Sequence, residues 1–302
     1  MTRRARSGCP GPADEPGVFR RRLLDWFDAH RRDLPWRAER TPYRTWISEI
    51  MLQQTTVRTV IPYFSRFLER FPAVQALASA PLDEVLGLWS GLGYYRRARH
   101  LHQAARFVVD ELDGRLPTDR AGWAALPGVG AYASGAIASM AFGEVVPALD
   151  ANANRVLTRW AVADPGQLAE WSPASLRGLG EDLVDPSRPG DWNEAVMELG
   201  ALVCTASEPS CASCPMSELC RAAGAGHVGE IPASKWKQPT LSVGTAMVVV
   251  TVEGRVVLLP AGQGGILPGP AARPGSRVDG CGLRLGFWSL AGAAGLRAEG
   301  RG

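Results

Sequence analysis

Four cysteines constrain this chain more than any other feature. Cys204, Cys211, Cys214 and Cys220 follow the spacing C-x6-C-x2-C-x5-C. Four thiolates on short loops can surround a 4Fe–4S cube. The same soft ligands suit a zinc ion, and Cys211 with Cys214 alone forms a redox-type C-x2-C pair. Ligand chemistry by itself leaves iron–sulfur and zinc even. Cys9 and Cys281 stand apart from this group. Structural disulfides would require an oxidising compartment. Arg3, Arg4 and Arg6 open the chain, but no apolar signal core follows them. No run of roughly 18 uninterrupted apolar residues suggests a membrane span. The expected compartment is therefore the cytoplasm, and the thiols are expected to serve a metal centre.

Around the cysteines the pattern is helical. From Val18 to Gly226 apolar residues recur at three- and four-residue spacing, with Pro and Gly between segments. Helix starts are legible at Thr41-Pro42, at Ser79–Glu84 and at Pro117–Asp119. Roughly ten short helices and no sheet are expected here. Residues 1–17, rich in Arg, Pro and Gly, read as a disordered tail. Past Pro239 the character changes. Leu241–Val252 and Arg255–Leu259 are β-branched runs separated by Glu-Gly, which predicts a hairpin. From Ala261 onward Gly, Ala, Pro and Arg dominate, and no structure is assigned.

Between two helical segments lies Leu126-Pro-Gly-Val-Gly130. Glycine permits positive φ and close backbone approach. The amides of Gly128, Val129 and Gly130, with the N-terminus of the next helix, could hold a phosphate. Such a loop grips a nucleic-acid backbone without reading sequence. An ordinary helix–helix turn has the same composition. A net charge of +3 permits nucleic-acid binding without requiring it.

Two carboxylates stand in contrasting settings. Glu49 is the only ionisable side chain between Thr45 and Val57, among Trp46, Ile47, Ile50, Met51 and Leu52. Apolar surroundings raise a carboxyl pKa, so Glu49 can hold a proton near neutrality and act as a general acid. Asp150 precedes the helix Ala151–Val162 and is expected at its N-cap, where amides and the helix dipole favour the ionised form. A protonated acid beside an ionised carboxylate suits cleavage of a glycosidic bond: the acid protonates the leaving group, and the carboxylate faces the cationic sugar.

Several stretches then match one family. They are Leu34-Pro-Trp-Arg37, Thr41-Pro-Tyr43, Trp46–Thr55, Leu88–Tyr95, Leu126–Gly130, Leu149-Asp150 with Asn152 and Arg155–Leu157, and the four cysteines. In this order the chain resembles the adenine DNA glycosylases of the MutY type, within the endonuclease III superfamily. The resemblance implies a mainly α, helix-hairpin-helix glycosylase fold. Its six-helix barrel module would span residues 42–149. Its terminal-helix and iron–sulfur module would combine residues 18–41 with 150–226. Residues 227–240 would form a linker and 241–302 a short, incomplete, Nudix-like β-rich remnant.

The same resemblance implies a 4Fe–4S cluster on Cys204, Cys211, Cys214 and Cys220. It implies that Glu49 protonates adenine and Asp150 stabilises the sugar cation, with Tyr132 and Asn152 orienting them. Trp36 and Arg37 would line the pocket for the extruded adenine. Gln53, Gln54 and one of Tyr94 and Tyr95 would wedge into the duplex. The expected partner is double-stranded DNA with an A:8-oxoguanine or A:G mismatch, met by a monomer.

Lysine occurs only at positions 235 and 237, so the helical region carries no amine for a Schiff base. Tyr132 stands where strand-cleaving relatives carry Lys. Hydrolysis by water, leaving an abasic site, is expected. Only residues 241–302 follow Thr240, with no Phe-Ser-His element of the kind that contacts 8-oxoguanine and no acidic Nudix helix. Rival readings are a T:G thymine glycosylase, a thymine-glycol lyase disfavoured by the missing lysine, and a non-catalytic iron–sulfur DNA-binding protein.

Overall fold

A computed structural model describes residues 16–232 and two strand segments, 251–252 and 255–256. Within 16–232 the chain is helical, as expected. The helices are α1 (Pro16–His30), α2 (Pro35–Ala38), α3 (Pro42–Leu52), α4 (Val57–Arg70), α5 (Val74–Ser79), α6 (Leu82–Trp89) and α7 (Arg96–Glu111). They continue as α8 (Arg120–Ala124), α9 (Ala131–Phe142), α10 (Ala151–Ala161), α11 (Pro173–Leu183), α12 (Pro189–Leu202) and α13 (Arg221–Ala225). Thirteen helices therefore replace the roughly ten expected. Pro and Gly punctuation cuts out one-turn pieces, such as α2 and α8, that carry too little periodicity to read.

Local chemistry explains most helix starts. The Thr41 hydroxyl accepts from Arg44 N at 3.2 Å, with Pro42 in the first turn of α3. Asp119 caps α8 through Gly122 N at 2.7 Å. Ser79 behaves otherwise. It ends α5, and α6 begins only at Leu82 after an uncapped Pro81. Its hydroxyl donates back to Ala76 O, so the side chain is turned into the preceding helix.

Two apolar cores form. The first gathers α2 to α9 around Trp46, Trp89 and Trp123, with Phe64, Phe67 and Phe71. The second joins α1, α10, α11 and α12 around Phe19, Phe27, Trp160 and Trp192. In α1 the residues Phe19, Leu23, Trp26 and Phe27 repeat at helical spacing and are all buried, which seats this early segment against α12 and α11. α12 also packs on α9 and α10, and α3 packs on α9. The four helices α3, α9, α10 and α12 thus meet where the two cores adjoin. α12 approaches α10 closely: a Cβ on Gly200 would lie 2.7 Å from Asn152 Cβ. No described helix is long and apolar enough to cross a membrane.

Separately, Thr251–Val252 and Arg255–Val256 pair antiparallel, with Thr251 opposite Val256. This is the centre of the predicted hairpin. Of the tail read as disordered, residues 16 and 17 instead open α1; residues 1–15, the outer parts of the hairpin, Cys281 and the rest of the Nudix-like remnant lie outside the described residues.

Candidate active site

Every position of α3 from Thr45 to Met51 is buried, Glu49 included at 5% exposure. Burial raises the Glu49 carboxyl to about 7, aided by the negative charges of Glu194 and Asp150. Two contacts oppose the rise. The Tyr132 hydroxyl donates to Glu49 Oε2 at 2.7 Å, and the Arg37 charge lies nearby. Tyr132 comes from the first turn of α9, directly after the Gly-rich loop. Its oxygen also lies 3.1 Å from Met197 Sδ on α12. Burial, and the Glu49 and Asp150 charges after it, push the Tyr132 phenol well above its ordinary value, so it remains a donor.

Asp150 is the N-cap of α10 and is itself half-buried. Its Oδ1 accepts from Ala153 N at 2.7 Å, and Oδ2 accepts from Asn152 Nδ2 at 2.9 Å. These contacts were expected to leave the carboxyl below its ordinary value. The net direction is the opposite. Burial raises it, and the Ala153 amide, Asn152 and the Arg155 charge counter that only in part. A carboxylate held in such a desolvated position gains most when a positive charge develops beside it.

Glu49, Tyr132, Asp150 and Asn152 are therefore one site, built from three helices. Replacing Tyr132 by Phe removes the contact that favours the Glu49 anion. The pH at which Glu49 loses its proton should move upward, and a pH–rate profile should show the alkaline limb displaced to higher pH. A limb that moves down or stays would contradict the assigned contact.

Comparisons with known proteins place the chain in a family. The HhH-GPD superfamily of base excision DNA repair proteins matches residues 47–179. An adenine DNA glycosylase of Buchnera aphidicola (subsp. Schizaphis graminum) is 36% identical over 240 residues, covering 79% of this chain and 69% of that protein. The chain belongs to the adenine DNA glycosylase family. The rat adenine DNA glycosylase is 48% identical over 229 residues, 72% of this chain and 44% of that protein. The chain thus spans less than half the length of the mammalian relatives it matches. A thermostable thymine-DNA glycosylase superposes with a TM-score of 0.65 at 31% identity, over 71% of this chain and 99% of that one. An endonuclease III–DNA complex superposes at 0.58 and 24% identity over 67% of this chain and 92% of that one, a likeness of fold.

The remaining residues singled out from the sequence are placed unevenly around this candidate site. Trp36 is 6% exposed and sits edge-on against Phe64 in the first core. Arg37 is spent on carboxylates: it bonds Glu194 at 3.3 Å and Glu198 at 3.1 Å, above the Phe27 ring. Arg40 and Arg32 complete this buried network on α12. Composition gave no sign of it, because its acids lie far along the chain from its arginines. In the hairpin, Gly128 has φ +78, and a Cβ there would sit 2.6 Å from His100 Cβ. Gly130 caps α9 without a side chain. Val129 differs from both: its side chain is buried and its N–H donates to Leu126 O at 3.1 Å. Gln54 is exposed, Gln53 is half-buried, and Tyr94 and Tyr95 are exposed by 59% and 39%.

The four cysteines are unpaired thiols on the loops between α12 and α13. Cys214 and Cys220 are raised chiefly by burial, and each also feels the charge of Cys204 and Cys211. Among the described residues no three His, Cys, Asp or Glu side chains converge tightly enough for one metal ion. The four thiols lie within electrostatic reach of one another, and thiolate sulfur is the ligand type that holds 4Fe–4S clusters. Arg155, noted in the sequence only within a matching stretch and given no role, runs from this region to the candidate site: it bonds Cys204 O and Asn152 Oδ1, each at 2.8 Å.

Proposed function

We propose that this protein hydrolyses the N-glycosidic bond of adenine mispaired with 8-oxoguanine or guanine in double-stranded DNA, leaving an abasic site. The observation that carries this reading is the pairing of a protonatable, buried Glu49 with the capped carboxyl of Asp150 in one site. Adenine leaves poorly as an anion. Glu49 donates its proton to a ring nitrogen as the C–N bond breaks. Asp150 stabilises the oxocarbenium-like sugar, and water then adds to the anomeric carbon and gives up a proton. Tyr132 and Asn152 hold the two carboxyl groups. The exposed pair Tyr94 and Tyr95, with Gln53 and Gln54, would enter the duplex and offset the cost of extruding the base, a few kcal/mol. Gly128, Gly130 and the first amides of α9 would receive a phosphate.

We read the two cores as the two modules of this fold, residues 42–149 and residues 18–41 with 150–226, with one departure: Leu34 and Trp36 of the second module pack into the first core. Cys204, Cys211, Cys214 and Cys220 would hold a 4Fe–4S cluster. It would cross-link their loops, since hydrolysis of a base is redox-neutral. Iron and acid-labile sulfide in the purified protein would support this, and stoichiometric zinc would overturn it.

A second reading, removal of thymine from T:G mismatches, is favoured by the likeness to the thymine-DNA glycosylase. A duplex panel with A:8-oxoguanine, A:G and T:G decides between them. Adenine should be released from the first two only. Release of thymine, or of no base with binding intact, would overturn the proposal. Borohydride should trap no enzyme–DNA adduct, because no lysine precedes Lys235.

A further inference from the structure

The Gln53–Thr55 turn leaves α3, and the Ser90–Tyr95 turn enters α7. They are distant in sequence, yet one side chain joins them. Arg97, on α7, is 9% exposed. Its Nη1 donates to the carbonyls of Ile50 and Met51, each at 2.9 Å, and to that of Gln53. Its Nη2 donates to Thr55 Oγ1 at 3.0 Å and to Gly93 O at 3.3 Å. One nitrogen thus serves the end of α3, and the other bridges across to the second turn. No carboxylate pairs with Arg97 among the described residues. Its charge rests instead on the carbonyl end of α3 and on the faces of Trp89 and Tyr94, at 5.4 and 5.5 Å.

Both turns are held in costly backbone shapes. Gln54 has φ +58 and Tyr94 has φ +47, in the left-handed region that side chains other than glycine rarely adopt. Each of these two residues points an exposed side chain to solvent. A desolvated guanidinium placed between two strained turns is well suited to fix their separation.

We propose that Arg97 is a positioning residue for base extrusion: it holds Gln54 and Tyr94 at a set spacing so that both enter the duplex together. This deepens the DNA glycosylase reading and rests on it. A lysine cannot replace the fork, because a single ammonium cannot face both turns at once.

The test uses the full chain, as wild type, Arg97→Lys and Thr55→Val. Extrusion is read from the fluorescence of 2-aminopurine placed at the target position, which rises on unstacking. Base release is read in single turnovers on two duplexes, one with adenine opposite guanine and one with adenine in a one-nucleotide bulge. Arg97→Lys should lose the fluorescence rise and slow release from the mismatch about tenfold or more, the size of a lost charged hydrogen bond. Release from the bulge, whose adenine has no partner to leave, should suffer less. Affinity for matched duplex and the pH of the alkaline limb should stay unchanged. Thr55→Val removes one acceptor without stranding a charge, and it should fall between wild type and Arg97→Lys. It carries the test if Arg97→Lys does not fold. Equal losses on both duplexes, or an intact fluorescence rise in both variants, would overturn the proposal. Wild type that extrudes 2-aminopurine but releases no adenine would instead sink the glycosylase reading and leave the Arg97 comparison standing.

Discussion

Asp150→Asn should bind an adenine mismatch as wild type does and release adenine about 10²- to 10³-fold more slowly, in the range seen when one electrostatic stabiliser is removed. The substitution changes little in volume. It removes the negative charge that would face the sugar cation. It also spoils the local bonding, because both carboxylate oxygens accept hydrogen bonds, from Ala153 N and from Asn152 Nδ2. An asparagine amide offers one acceptor oxygen and one NH2 group. Whichever way it turns, a donor meets a donor. Binding should survive, because the hairpin and the exposed Tyr94–Tyr95 turn lie on other elements. Filter binding and single-turnover kinetics on the same duplex check this. Release within about tenfold of wild type would remove Asp150 from the chemistry.

Glu49→Gln carries the second large effect, and it acts in two directions. Gln keeps an oxygen for the Tyr132 hydroxyl but has no proton to give. Base release should fall by about 10²- to 10⁴-fold, the usual worth of a general acid. In the wild type, release should decline tenfold per pH unit above about 7, as Glu49 ionises. The variant should lack that limb. Stability should move the other way. The folded carboxyl sits at about 7 against an ordinary 4.5, so between those values the folded protein holds a proton that the unfolded chain has lost. The contribution of Glu49 to stability is complete below pH 4.5 and is lost as pH rises to about 7. Gln escapes this loss. Relative to wild type, the variant should therefore gain stability between pH 4.5 and pH 8 by up to about 3 kcal/mol, the size of that shift. Thermal melts at the two pH values measure it. A variant that is both slower and less stable at pH 8 would show that Glu49 is held ionised by contacts rather than kept protonated by burial.

The same site carries a conflict between stability and activity. Glu49 is costly where it stands because α3 is buried on all sides, and that burial is what keeps its proton available. The buried network of Arg37, Glu194 and Glu198 lies behind it. Arg37 lowers Glu49 while Glu194 raises it, so the network also sets the electrostatic background for the acid.

Much of this was legible in the chain itself. The helical period of Phe19, Leu23 and Phe27, the Thr41-Pro42 and Asp119 caps, and the N-cap position of Asp150 are local matters, decided by side chains within a turn of their own backbone. The lone Glu49 among apolar neighbours foretold its raised pKa, because burial depends first on the company a residue keeps in its own helix. The four-cysteine spacing marked a ligand set in the same local way.

What the tertiary structure decided depends on which helices meet. The sign of the Asp150 shift turned on how far α10 is buried against α12, which a capping rule cannot weigh. Arg37 and Trp36 face a network and a core assembled from distant residues. Arg97 shares a helix face with Leu101, Ala104 and Val108, so its burial could have been read from periodicity. Its partners at the end of α3 could not, since nothing in a one-dimensional pattern says which carbonyls a buried guanidinium will reach. The cysteine spacing behaves likewise. By itself it marked these four thiols as candidate metal ligands. Only the fold showed that Arg155 joins the carbonyl of Cys204 to Asn152, because hydrogen bonding across α10 and α12 requires the two helices to be packed together first.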